Sequence, residues 1–133
     1  MVRNIGLWID HKQTYLIWSD KNSVQTITSN VEPRVSYSGG FRIGGRYNQN
    51  LDSELRHNFH YENQLKKYYE RVTSSIQGAE AVVLMGPGEA KMEFEKVLRK
   101  NRELHKKVIG IETTDKLTKR QMVAFVKRYF SKN

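Results

Sequence analysis

Cysteine is absent from the chain, which removes disulfides, thiolate metal sites and cysteine nucleophiles together. Long apolar runs are absent too. None approaches the roughly 18 residues that a membrane-crossing helix requires, and the N-terminal MVRNIGLWIDHKQ has no signal-peptide apolar core. There is no internal repeat, low-complexity tract or interdomain linker. Together these absences lead us to expect one domain over residues 1–133, in the cytoplasm and without membrane contact. Acidic residues are in the minority. Against 14 Asp and Glu stand 23 Lys and Arg, a net charge of +9. A field of that sign favours polyanionic partners and speeds their encounter.

The chain is organised around AVVLMGPGEAK, residues 81–91. A short apolar run ends at Gly86-Pro87-Gly88 and a helix-forming sequence follows, which predicts a buried strand entering a helix with Pro87 in its first turn. Free amides at such a turn can hold a phosphate or carboxylate, so Gly86, Gly88 and Lys91 are candidate anion-binding residues. The same residues serve turn geometry alone.

Before this centre, alternating residues predict strands around Ile5–Ile9 and Tyr15–Trp18 and a more polar edge strand at residues 24–28. Residues 32–50 then change character. Gly39, Gly40, Gly44 and Gly45 occur with Arg34, Arg42 and Arg46, and no acid lies between Pro33 and Asn50. Cations for phosphates, the rings of Tyr37, Phe41 and Tyr47 for bases, and glycines for close approach suit contact with single-stranded RNA. A solvated loop is the alternative. A long helix is expected from a cap at Asp52 to about Ile76, with Leu51, Leu55, Phe59, Leu65, Tyr69, Val72 and Ile76 inward. Glu54, His57, His60 and Tyr61 on it match no strong metal pattern, and we expect neither metal nor cofactor there.

After the centre, a second amphipathic helix is expected over residues 87–102, its outer side basic through Lys96, Arg99 and Lys100. A short buried strand at 108–111 and a last helix capped by Thr118 or Asp115 complete the chain. Hairpin strands followed by helix, strand, helix, strand and helix give an α/β fold. We expect a five-stranded mixed sheet in the order 3-2-1-4-5 with three helices, the ribonuclease-H-like arrangement. Asp10, Glu89 and Glu112 or Asp115 then fall near one sheet edge, where they would be the carboxylates of a metal-dependent nuclease. Turn formation and helix capping explain each of them as well, and the balance is against an enzyme. A further alternative is a protein-interaction domain, partner-binding or homodimeric, using Trp8, Tyr15 and Trp18 on an uncovered sheet face.

The stretches VVLMGPGEAKMEFEKVL and VIGIETTDKLTKRQMVAFVKRYF resemble the central domain of archaeal and eukaryotic peptide-chain release factors and of Pelota. They look closer still to stand-alone bacterial relatives of that domain, the host-attachment-type proteins. The features that carry the likeness are the GPG-x-x-K turn with Lys91 and the Thr114-Asp115-Lys116 region. The resemblance implies a translation role with the ribosome or structured RNA as partner, and a Gly-Gly-Gln tip before the long helix. Here Gly39-Gly40 is followed by Phe41 and Gly44-Gly45 by Arg46, while Gln49 stands four positions beyond Gly45. Standard peptidyl-tRNA hydrolysis is therefore not expected. The candidate RNA-binding residues are Arg34, Arg42, Gly44, Gly45, Arg46, Tyr47, Gln49, Lys96, Arg99 and Lys100.

Overall fold

A computed structural model describes residues 3–30 and 47–131, with side chains described for 3–30 and 60–131. The elements run β1 (Asn4–Ile9), β2 (Gln13–Trp18), β3 (Val24–Thr28), α1 (Tyr47–Ser75), β4 (Ala81–Gly86), α2 (Ala90–Leu98), α3 (Arg102–His105), β5 (Val108–Thr113) and α4 (Lys119–Ser131). The strands form one sheet in the order β3-β2-β1-β4-β5, as the sequence predicts. β1 runs antiparallel to β2 and parallel to β4, and β5 is parallel to β4.

The β1–β2 turn shows how local chemistry sets the register. Asp10 Oδ1 accepts from the backbone N–H groups of Lys12 and Gln13, each at 2.8 Å, a side chain standing in for a backbone acceptor. That places Leu7 opposite Leu16 and Ile5 opposite Trp18. Because side chains alternate along a strand, Ile5, Leu7 and Ile9 enter one apolar cluster while Trp8 enters the other. β4 lies inside the sheet between β1 and β5 with helices on both faces, and Val82, Val83, Leu84 and Met85 are fully buried.

One face of the sheet is covered by α1, α2 and α3 through Tyr68, Tyr69, Val72, Ile76, Phe94, Leu98 and Leu104. The other is covered by α4 through Met122 and Val126. α4 comes very close to the strands. A Cβ on Gly6 would lie 2.1 Å from Val126 Cγ2, and one on Gly110 would lie 2.1 Å from the Tyr129 hydroxyl. Glycine is what lets the helix sit down at both places.

Several boundaries differ from expectation. α1 begins at Tyr47, so Asp52 lies inside it, and Tyr47 and Gln49 belong to its first turn rather than to the preceding loop. α2 begins at Ala90. Pro87 precedes it, because Gly86 (φ 155°) and the bend after it take up the change of direction. A Cβ on Gly86 would lie 2.3 Å from the Ile9 carbonyl oxygen, so the turn is pressed against the end of β1. The short α3 is a fourth helix beyond the three expected. Its cap is Asn101, whose side chain accepts from the Leu104 N–H. β5 is a sheet edge and not a buried strand, with Ile109 47% exposed. Thr118, not Asp115, caps α4. Its hydroxyl accepts from the Gln121 N–H at 3.1 Å while Gln121 Oε1 accepts from the Thr118 N–H at 2.9 Å, a reciprocal capping box.

Candidate functional site

The carboxyl ends of β1 and β4 meet α1 and α2, and a polar network is built there from residues distant in sequence. Glu93 Oε1, one turn into α2, accepts from the Tyr69 hydroxyl at 2.7 Å and lies 2.9 Å from His11 Nε2. Burial raises the Tyr69 phenol well above its ordinary 10.0, and its hydrogen bond to Glu93 raises it further. Tyr69 is therefore a neutral donor at any physiological pH. Next to it, the Tyr68 hydroxyl meets Thr14 Oγ1 and donates to the Asp10 carbonyl at 3.1 Å. Burial raises Tyr68 as well, against the opposing pull of the Thr14 hydrogen bond. These bonds hold α1 to the hairpin turn.

A cavity of about 540 Å³ opens beside His11 and Glu93, floored by Leu65 and Val97 and flanked by Tyr61, Lys66 and Lys96. The geometry suits a hydrogen-bonded imidazole that donates from Nε2 to the carboxylate and leaves Nδ1 as an acceptor, the tautomer being assigned from the partner. Among the described residues no serine, threonine or cysteine lines the cavity. The arrangement can hold a ligand or a proton. Nothing in the local spacing signals this cluster, because 82 residues separate His11 from Glu93.

The carboxylates considered for a nuclease do not converge. Among the described residues no group of three His, Cys, Asp or Glu is placed to hold a metal ion. Asp10 Oδ1 is engaged in its turn, and Asp115 meets the first strand through its backbone carbonyl, which accepts from Trp8 Nε1 at 3.3 Å. The interaction face also changes. Trp8 is fully buried beneath α4 and Tyr15 packs beside it, their rings 5.6 Å apart. Trp18 lies on the opposite face, where the Arg3 guanidinium sits 4.6 Å from its ring centre. No uncovered face presents all three aromatics.

The GPG turn brings Gly86, Gly88 and Lys91 together. Lys91 is 6% exposed and its ammonium donates to the Gly88 carbonyl at 2.6 Å, closing the turn on itself. A Cβ on Gly88 would meet nothing within 4 Å, in contrast to Gly86.

The basic outer side of α2 and α3 is organised by an acid. Glu95 is buried, with Arg99 Nε donating to Oε2 at 3.0 Å and His105 Nε2 2.6 Å from the same oxygen. Arg99 Nη2 lies 2.8 Å from Oε1. The Arg99 bonds, opposed by desolvation and seconded by His105, hold the Glu95 carboxyl below its ordinary 4.5. Arg99 is thereby tied to the protein. Lys96, Lys100, Arg102 and Lys106 are exposed, and among the described residues they have no ion-pair partner. Of the remaining candidates, Arg34, Arg42, Gly44, Gly45 and Arg46 lie outside the described residues. Tyr47 and Gln49 are placed by backbone in α1.

No protein-family model matches the chain, and no curated protein matches it. Among solved structures, the crystal structure of the archaeal translation termination factor aRF1 is similar. The TM-score is 0.48 and the identity 13%, over 98% of this chain and 39% of that one. The chain thus spans about two fifths of that protein's length.

Proposed function

We propose that this protein binds RNA as a ribosome- or RNA-associated translation accessory factor. The observation that carries the RNA reading is the set of exposed cations Lys96, Lys100, Arg102 and Lys106, left without carboxylate partners because Glu95 turns inward to Arg99 and His105. Cations kept clear of the protein's own acids remain available to phosphates, and each phosphate contact releases counterions. The loop residues Arg34, Arg42, Gly44, Gly45 and Arg46, with Tyr47 and Gln49 at the start of α1, supply a second set of contacts. Gly86, Gly88 and Lys91 are a further candidate anion site, the Lys91 ammonium giving one of its three donors to the Gly88 carbonyl. The translational part of the reading comes from the sequence resemblance of the GPG-x-x-K turn and the Thr114-Asp115-Lys116 region to release-factor central domains.

Ribosome co-sedimentation at two salt concentrations tests this. The protein should pellet with ribosomes at low salt and be released as salt rises. Both Arg42→Ala/Arg46→Ala and Lys96→Ala/Lys100→Ala should weaken pelleting without lowering the melting temperature. Association indifferent to salt and to both double variants would refute the proposal.

A further inference from the structure

The last 18 residues, 116–133, contain Lys116, Lys119, Arg120, Lys127, Arg128 and Lys132 and no aspartate or glutamate. Lys119 and Arg120 stand in the first turn of α4, which holds no acid. That is the positive end of the helix dipole, where cations are destabilising and acids are the favoured choice. Helix stability therefore does not account for them. Beneath them a groove of about 570 Å³ runs between α4 and β3, with Val24, Val123 and Ala124 as its floor and Lys119, Arg120 and Lys127 around it. Among the described residues no carboxylate lines it, and Lys127 is steadied by donating to Asn22 Oδ1. All three cations are exposed, and among the described residues none forms an ion pair.

We infer that the exposed face of α4, with the groove against β3, binds the phosphate backbone of an RNA segment separate from the one met by α2 and α3. This rests on the RNA reading above and extends it to the opposite face of the sheet. From Lys119 to Lys127 the helix rises about 12 Å, at 1.5 Å per residue. That is long enough to face several successive phosphates of one RNA strand.

The chemistry favours a polyanion of regular charge spacing over other occupants. A membrane surface would need the apolar stripe of α4, but Met122 and Val126 are fully buried against the sheet. A protein partner would look for a large apolar or aromatic anchor. Among the described residues the exposed large apolar ones, Met92 and Ile109, are both elsewhere.

The test measures affinity for a labelled RNA hairpin with single-stranded flanks, across about 50 to 200 mM salt, for wild type, K119E/R120E and K96A/K100A. Acids at the start of α4 suit the helix dipole, so K119E/R120E should melt at or above the wild-type temperature. Its RNA affinity should fall at least tenfold at low salt. In a triple variant, Lys119→Gln/Arg120→Gln/Lys127→Gln, the slope of log affinity against log salt should become shallower by about 2, as for three lost single-strand phosphate contacts. The glutamine variant also decides the matter if the charge reversal fails to fold. Affinity within twofold of wild type in both α4 variants, while K96A/K100A weakens binding, overturns this inference alone. A wild-type protein with no RNA affinity overturns both proposals. Polyglutamate or anionic vesicles bound more tightly than RNA, with that binding lost in K119E/R120E, assigns the groove to another occupant and likewise overturns it.

Discussion

The two faces of the sheet are covered by different means. On the α1–α2–α3 face, large apolar side chains are accompanied by polar ties: Tyr68 to Thr14 and Asp10, Tyr69 to Glu93, and Glu95 to Arg99 and His105. On the α4 face a single helix lies over Gly6 and Gly110, and no described ion pair reaches it. The first face fixes three helices relative to one another and consumes charge in doing so. The second fixes one helix by steric fit and leaves its cations outward.

The contrast predicts opposite failures. Phe94→Ala should leave a cavity on the first face and cost about 3–5 kcal/mol, whereas Gly6→Ala on the second should fail by overfilling against Val126 and cost about 1–3 kcal/mol. Urea melts of both variants check this. If Gly6→Ala were neutral, α4 would have to rest on the sheet less closely than the geometry shows.

A smaller effect separates the faces by acid. The folded state holds the Glu95 carboxyl below its ordinary 4.5, so the native contacts favour its ionised form. That contribution is complete above about pH 4.5 and is lost as pH falls through the depressed value. Glu95→Gln should cost about 1–2 kcal/mol near neutrality, and the gap to wild type should close on titration toward pH 3. A gap constant with pH would mean that the charge of Glu95 does not matter to its contacts.

The smallest expected change is at Tyr69. Its folded-state value lies above the ordinary 10.0, so its contribution is complete below pH 10 and fades as pH rises beyond it. Tyr69→Phe should cost about 1 kcal/mol at neutral pH through the lost bond to Glu93 and should flatten the alkaline limb of stability. The His11 ring resonances should then shift by NMR, since Glu93 loses its other donor.

Strand order was legible because hairpin adjacency and right-handed crossovers leave few alternatives, and the inward face of α1 because it follows from short-range periodicity. Leu65, Tyr69, Val72 and Ile76 recur at helical spacing, and the strands alternate or run apolar. The cap of α4 was legible only as a choice between Thr118 and Asp115, which the Gln121 side chain three residues on decides for Thr118. The start of α2 was not, because the bend at Gly86 is set by contact with Ile9, a residue far off in the chain. Burial of β5 was overestimated, since an apolar run does not say whether a strand has a neighbour on its far side. The cluster of His11, Tyr69 and Glu93 has no local signature at all. Glu95 did carry a signal, an arginine four residues on, yet only the approach of His105 from α3 explains its burial. The acid-free stretch from residue 116 onward was in plain sight, and reading α4 only for its apolar face passed over it.

Resting α4 on bare backbone has a mechanical consequence. Side chains between helix and sheet can change rotamer and let the helix ride higher or lower, but at Gly6 and Gly110 no such cushion exists. At these two points the height of the helix is set by contact with the strand backbone rather than by a side chain of the sheet. Lys119, Arg120 and Lys127 therefore form a ruler of fixed spacing, to which a flexible strand of phosphates must conform.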